Sequence, residues 1–155
     1  MENIRIKPHH FLDILKLHGK GLDHFLPDTD YNHDFYKIAN QIIGGEPDTI
    51  TFTLENYDIC LPCKYNGGTC CTDTVGRTSL SKHSHNMDID KSLIDTLNLE
   101  EGKEYSFYET IDLIKDRITI NAYRTAWPEA DGDEINFRYK YGMIGLGKII
   151  SRCTI

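Results

Sequence analysis

The stretch TITFTL at residues 49–54 alternates polar with apolar residues and is rich in β-branched side chains. This is the pattern of a β-strand that buries one face. The strand is followed by four cysteines, Cys60, Cys63, Cys70 and Cys71, in residues 60–71, which we call the cysteine stretch. The sequence therefore predicts a short sheet that leads directly into a cysteine-bearing segment.

Apolar residues recur at helical spacing on both sides of this strand. A first helix is predicted after Pro8, from His9 to the glycine stop signals at Gly19 and Gly21, and a second over Phe35–Ile43 before Gly44. Further helices are predicted from near Asp88 or Asp90, from the capping box Ser106/Glu109 to about Asp116, and over 135–150. Residues 118–127 either extend the helix that ends near Asp116 or form another short helix. The predicted fold class is α+β, a mostly helical small single domain spanning 1–155 with a short sheet.

Composition restricts the classes of partner. The 155 residues are 39% hydrophobic and 26% charged, which is typical of one globular domain. Seventeen Lys and Arg against 24 Asp and Glu give a net charge of −7, the wrong sign for a phosphate backbone, so no nucleic acid is expected. No apolar run approaches the ~20 residues that cross a bilayer, and Met1–Ile6 lacks a signal-peptide core, so we expect a cytoplasmic protein without a membrane partner.

The spacing of the cysteines indicates a metal site. Cys60 and Cys63 form a Cys-x-x-Cys pair around Pro62, a spacing at which two thiolates grip one metal centre. Cys70 and Cys71 are adjacent, and neighbouring side chains in extended backbone diverge, which suits two irons of one cluster better than a single zinc. We expect a 4Fe-4S iron-sulfur cluster bound by all four cysteines, with zinc as the alternative cofactor.

The segment around these cysteines lacks any sustained periodicity. Residues 60–86 are rich in Gly, Ser and Thr, and we predict a cysteine loop over 57–86 that a metal ties down. A thiol-disulfide pair and a purely structural set of cysteines remain the other interpretations of the stretch. Cys153 stands apart near the C-terminus and is interpreted as an ordinary thiol.

Histidines supply the candidate proton donors and further ligands. His9 and His10 follow Pro8 at a helix start, and Asp13 lies one turn beyond, where a carboxylate can orient an imidazole. The alternative is a capped, hydrogen-bonded histidine with a structural role. His83 and His85 are either extra ligands or a solvated pair of loop histidines. The glycines of residues 142–147 have the order GxxGxG, which indicates close helix packing or a backbone bend and not a nucleotide loop.

Two blocks of sequence resemble a known family. Ile4-Arg5-Ile6-Lys7-Pro8-His9-His10-Phe11-Leu12 and Tyr57-Asp58-Ile59-Cys60, in the first half of the chain, resemble the domain-of-unknown-function 1284 family of predicted iron-sulfur or metal-binding proteins. The resemblance implies an iron-sulfur site and extends to His9, His10, Cys60 and one of Cys70 and Cys71. The choice of Cys63 as a ligand rests on its spacing from Cys60 alone. Relatives carry a cysteine where this chain has Asp13, and a further cysteine group where it has 139–147.

These observations predict redox or sulfur chemistry at the cysteine stretch, with a redox partner protein or a small-molecule substrate. The resemblance makes the paired histidines a recurring feature, so we expect the helix start to face the cluster. His10 then binds or protonates a substrate held at iron, and Asp13 fixes its tautomer. Three classes stay open at this point: an enzyme, a redox module, and a zinc-stabilised domain with an interaction or regulatory role.

Overall fold

The computed structural model describes residues 2–27, 33–55, 58–59 and 82–153. Within these ranges the strands are β1 (Asn3–Ile6), β2 (Thr49–Phe52) and β3 (Glu104–Ser106). The helices are α1 (Pro8–Gly19), α2 (Phe35–Ile43), α3 (Lys82–Thr96), α4 (Phe107–Arg117), α5 (Ile120–Ala126) and α6 (Gly132–Cys153). The predicted α+β class, mostly helical with a short sheet, is confirmed.

The sheet has the strand order β1-β2-β3, with β2 in the centre. β1 runs parallel to β2, with Ile4 opposite Ile50, and β3 runs antiparallel to β2, with Tyr105 opposite Ile50. These three side chains are all buried, and their alignment across the strands places them on one face of the sheet. Because β1 and β2 are parallel, their carboxyl ends lie at the same end of the sheet.

Several helices follow their sequence signals closely. Pro8 opens α1, and α2 ends at Ile43 before the Gly44-Gly45 turn, as predicted. Ser106 caps α4, because its Oγ accepts a hydrogen bond from the backbone N–H of Glu109 at 3.1 Å. Residues 118–127 contain a separate short helix, α5, whose own cap is Thr119. Local capping chemistry therefore determines these boundaries.

The predicted start of α3 was wrong. The helix begins at Lys82 and not near Asp88 or Asp90, so residues 82–86 are helical and do not belong to an irregular loop. His85 consequently lies on a helix, with Nε2 3.9 Å from an oxygen of Glu129. The first turns of α3 carry few apolar residues, and the buried Ile89 and Leu93 further along pack the helix onto the core. Of the rest of the predicted cysteine loop, residues 58–59 are described, and residues 57 and 60–81 lie outside the described residues.

Two glycines allow α1 and α6 to approach each other at backbone distance. A Cβ on Gly145 would overlap the carbonyl oxygen of Leu15, and one on Gly19 would overlap that of Tyr141. Only hydrogen fits between the two backbones at these points. The close-packing interpretation is therefore confirmed for Gly145, whereas a Cβ on Gly147 would lie in open space.

We expect Gly145→Ala to lower the free energy of unfolding by about 1–3 kcal/mol, because the added methyl group meets backbone atoms that cannot rotate away. Gly147, two residues along the same helix, has only open space where a Cβ would lie. Gly147→Ala is the matched control and should be neutral or stabilising by up to about 1 kcal/mol through helix propensity. Urea denaturation of both variants measures the difference, and equal stabilities would contradict the close approach.

Among the helices of the described ranges, none combines the length and the apolar composition needed to cross a membrane.

Candidate functional site

The first turn of α1 receives its acceptor from another helix. Lys7, which precedes the helix, carries no side-chain oxygen that can accept a hydrogen bond from the first-turn N–H groups. Asp90 of α3 fills this role, because its Oδ1 accepts from the backbone N–H of His9 at 2.8 Å. Asp90 is fully buried, with 0% of its surface exposed. A carboxylate at this position is favoured by the partial positive charge of a helix N-terminus.

The same carboxylate holds the side chain of His9. Nδ1 of His9 lies 2.9 Å from both Oδ1 and Oδ2 of Asp90, and His9 is itself buried. Because a carboxylate only accepts hydrogen bonds, Nδ1 carries the proton and donates it. In the neutral imidazole the lone pair is then on Nε2. Histidines that bind metals or accept protons are commonly oriented by a carboxylate in this way.

His10 lies next to this pair and extends the site toward α2. Its ring centroid is 4.1 Å from that of His9 and 6.1 Å from that of Phe35, the first residue of α2. The Phe35 ring also contacts His33, and the Phe35 backbone N–H donates to Nδ1 of His33 at 3.3 Å. Three imidazoles thus lie around the starts of α1 and α2.

Residues 58–59, which precede the cysteine stretch in the sequence, are held by β1 and by the start of α2. The backbone N–H of Asp34, at the start of α2, donates to the carbonyl oxygen of Ile59 at 2.9 Å. The backbone N–H of Arg5 in β1 donates to Oδ2 of Asp58 at 2.7 Å. Ile59 is buried, and Cys60 is the next residue in the sequence. Residues 58–59 are therefore fixed between the outer edge of β1 and the N-terminus of α2.

Asp13 makes its contacts with Arg138 of α6 and Lys16 of its own helix. Its Oδ1 is 3.2 Å from Nη1 of Arg138 and 3.5 Å from Nζ of Lys16. The Arg138 guanidinium also lies over the Trp127 ring, 4.5 Å from the ring centroid. Burial, followed by the negative charge of Asp13, raises the pKa of the Tyr123 hydroxyl well above its usual range, so this phenol stays neutral. The carboxylate that meets the paired histidines is that of Asp90, which the sequence interpretation did not identify.

The predicted site residues are only partly brought together in the described ranges. His9 and His10 are adjacent, with Asp90 as a third member, whereas Asp13 pairs with Arg138. The predicted ligands Cys60, Cys63, Cys70 and Cys71, and the side chain of His83, lie outside what the structure describes. Asp90 could not be found from local spacing, because it is far from His9 in the sequence. Within the described residues, His, Cys, Asp and Glu form no group of three that could hold a metal.

One family model matches a range of the chain that includes the cysteine stretch and Asp90. The model of a family described as "Protein of unknown function (DUF1284)" matches residues 28–127, more than half of the chain. The match extends to Trp127, so limiting the resemblance to the first half of the chain was too narrow. No curated protein and no solved structure matches the chain. By its match over residues 28–127, the chain belongs to the DUF1284 family.

Proposed function

We propose that this protein is a cytoplasmic metalloprotein that binds an iron-sulfur cluster of the 4Fe-4S type and takes part in redox or sulfur chemistry. The cluster ligands come from Cys60, Cys63, Cys70 and Cys71. The observation that supports this most is the fixed position of Ile59, whose carbonyl oxygen accepts the Asp34 N–H at the start of α2, where Phe35 meets His10. Ile59, the residue before Cys60, is thus bonded at the start of α2, where the Phe35 ring meets those of His10 and His33.

The donor chemistry suits the proposed cofactor. Thiolates are the protein ligands that iron-sulfur clusters use, and the reducing cytoplasm keeps thiols free to serve as ligands. The described residues supply imidazoles and one buried carboxylate but no three-donor group, so in this proposal the cysteine stretch provides most of the ligands. Two hydrogen bonds already fix its first neighbour, Ile59, and the preceding Asp58. Such anchoring reduces the conformational entropy that this part of the chain loses when a metal binds.

The described residues take supporting roles in this proposal. When bound, a 4Fe-4S cluster exchanges single electrons, which suits a redox partner protein or a small-molecule substrate. His10 is half-buried and its ring meets that of Phe35, and in this proposal it binds a substrate or moves a proton. The carboxylate that orients the histidine pair is Asp90, while Asp13 is engaged by Arg138 and Lys16.

Purification without oxygen tests the proposed function. We expect brown protein with broad visible absorption and about four iron and four sulfide ions per chain, as the cluster type requires. Metal and acid-labile sulfide analysis on the same sample gives the stoichiometry. Stoichiometric zinc without sulfide would replace this proposal with a zinc-stabilised interaction or regulatory domain. Protein without any bound metal, purified under the same conditions, would contradict both.

A further inference from the structure

We propose that the solvent-facing side of α6 binds an acidic amphipathic segment of a partner protein. The surface, which we call the α6 stripe, consists of Phe137, Tyr141 and Ile144, with Lys20 and Lys140 beside the two rings. It includes neither the histidines at the start of α1 nor the cysteine stretch. The inference therefore goes beyond the proposed function and does not depend on it.

The apolar side chains of the stripe recur at helical spacing and face solvent. Phe137 is 39% exposed and Ile144 is 42% exposed, and Tyr141 between them is half-buried. Residues three and four apart lie on the same side of a helix, and the Phe137 and Tyr141 ring centroids are 4.8 Å apart. The other side of α6 packs on the core through the buried Leu146 and Ile149. The stripe is thus an apolar surface beyond what the fold of α6 requires.

Two ammonium groups lie over the rings of the stripe. Nζ of Lys20 is 4.9 Å from the Phe137 ring centroid, and Nζ of Lys140 is 5.3 Å from that of Tyr141. In the part of the chain that the structure describes, neither ammonium forms an ion pair with a carboxylate. A chain with a net charge of −7 therefore places two cations without carboxylate partners at exposed aromatic rings.

The carboxylates near the stripe are engaged elsewhere. An oxygen of Glu134 is 3.1 Å from Nη2 of Arg138, and an oxygen of Asp23 is 2.9 Å from Nζ of Lys148. Asp133 lies in the first turn of α6, at the positive end of the helix dipole. The stripe itself keeps a positive charge that a partner can complement.

The backbone behind the stripe is closely packed. A Cβ on Gly19 of α1 would overlap the carbonyl oxygen of Tyr141, and one on Gly145, next to Ile144, would overlap that of Leu15. This contact holds the α6 stripe against the helix that supplies Lys20. A surface that is already ordered loses little conformational entropy when a partner binds.

Charge decides among the occupants of such a surface. A second copy packed stripe against stripe would bring Lys20 and Lys140 close to their own counterparts, and like charges disfavour such an interface. An anionic membrane repels a chain of net charge −7. A helix with aliphatic side chains on one face and flanking Asp or Glu complements both the apolar side chains and the ammonium groups.

Titration of a synthetic peptide into the ¹⁵N-labelled full chain, followed by NMR, tests the proposal. The probe is a helical peptide with Leu at positions i, i+4 and i+7 and Glu at the flanking positions, and the control peptide has Lys in place of Glu. We expect shift changes centred on residues 137–144 and an affinity about tenfold or more higher for the Glu peptide. Ile144→Ser and Lys140→Glu should each weaken its binding by about fivefold or more. The exposed α4 variants Tyr108→Ser and Lys115→Glu are the matched controls and should bind as wild type does.

Every other outcome overturns the acidic partner. Equal affinities for the two peptides, shift changes centred elsewhere, or no saturable change up to about 1 mM peptide would do so. A concentration-dependent dimer in analytical ultracentrifugation that Ile144→Ser abolishes would assign the stripe to a second copy. Cosedimentation with phosphatidylserine vesicles that the same variant abolishes would assign it to a membrane. The iron and sulfide content, which tests the proposed function, is measured separately and does not affect these results.

Discussion

Asp90→Ala is expected to lower the free energy of unfolding by roughly 2–6 kcal/mol, because two buried donors lose their acceptor and each such loss costs about 1–3 kcal/mol. The substitution leaves the Nδ1–H and the backbone N–H of His9 buried without their acceptor. It also removes the carboxylate that α3 places against the N-terminus of α1. Urea denaturation followed by circular dichroism measures the loss.

Asp88→Ala is the matched control for this prediction. Asp88 lies on the same helix but is exposed, so its removal should change the stability by less than about 0.5 kcal/mol. Asp90→Asn should fall between the two, because an amide oxygen can accept one of the two hydrogen bonds. A loss below about 1 kcal/mol in Asp90→Ala would show that the His9–Asp90 contact contributes little to stability.

The helices that the sequence predicts well have both apolar residues at helical spacing and a local signal that marks one end of the helix. α1 has Pro8 at its start, α2 has the Gly44-Gly45 turn at its end, and α4 has the Ser106 cap. β2 shows clear alternation over four residues. Each signal acts through contacts within a few residues, so it can be recognised without knowledge of the tertiary structure.

The strands β1 and β3 and the start of α3 depend on tertiary contacts. β1 has four residues and β3 has three, too few for alternation to stand out from chance. Both become strands because β2 lies between them and binds their backbone groups. The first turns of α3 lack an apolar stripe, and their helical state follows from the packed portion around Leu93.

The residues of the candidate site also divide into those that local sequence identifies and those that only the tertiary structure brings in. His9 and His10 attract attention because Pro8 places them at a helix start, and an acidic partner is chemically expected there. Asp13 is the nearest carboxylate in the sequence, but Arg138 from α6 binds it, and Asp90 from α3 takes its expected place. Which carboxylate reaches the imidazole depends on how the helices pack on one another, and local spacing contains no information about that.

Cys60→Ser is expected to reduce the bound iron and sulfide of anaerobically purified protein by about tenfold or more, since loss of even an outer partner of a ligand weakens metal binding about 10–100-fold. Cys60 is the cysteine best supported as a ligand. It begins the Cys-x-x-Cys pair, and it follows Ile59, which hydrogen bonds at residues 58 and 59 hold beside β1 and the start of α2. A serine hydroxyl is a far poorer ligand for iron than a thiolate, because it is not deprotonated at neutral pH.

Cys153→Ser provides the control, because this cysteine lies at the other end of α2 from the proposed site. Arg152, its neighbour on α6, donates to the carbonyl oxygen of Ile43 at 2.7 Å, at the C-terminus of α2. Asp34 and Phe35 lie at the opposite end of that helix, about 12 Å away at about 1.5 Å per residue. Iron and sulfide should therefore be unchanged in Cys153→Ser. Equal loss of iron in both variants would indicate that thiol substitution destabilises the fold generally, and full retention in Cys60→Ser would exclude Cys60 as a ligand.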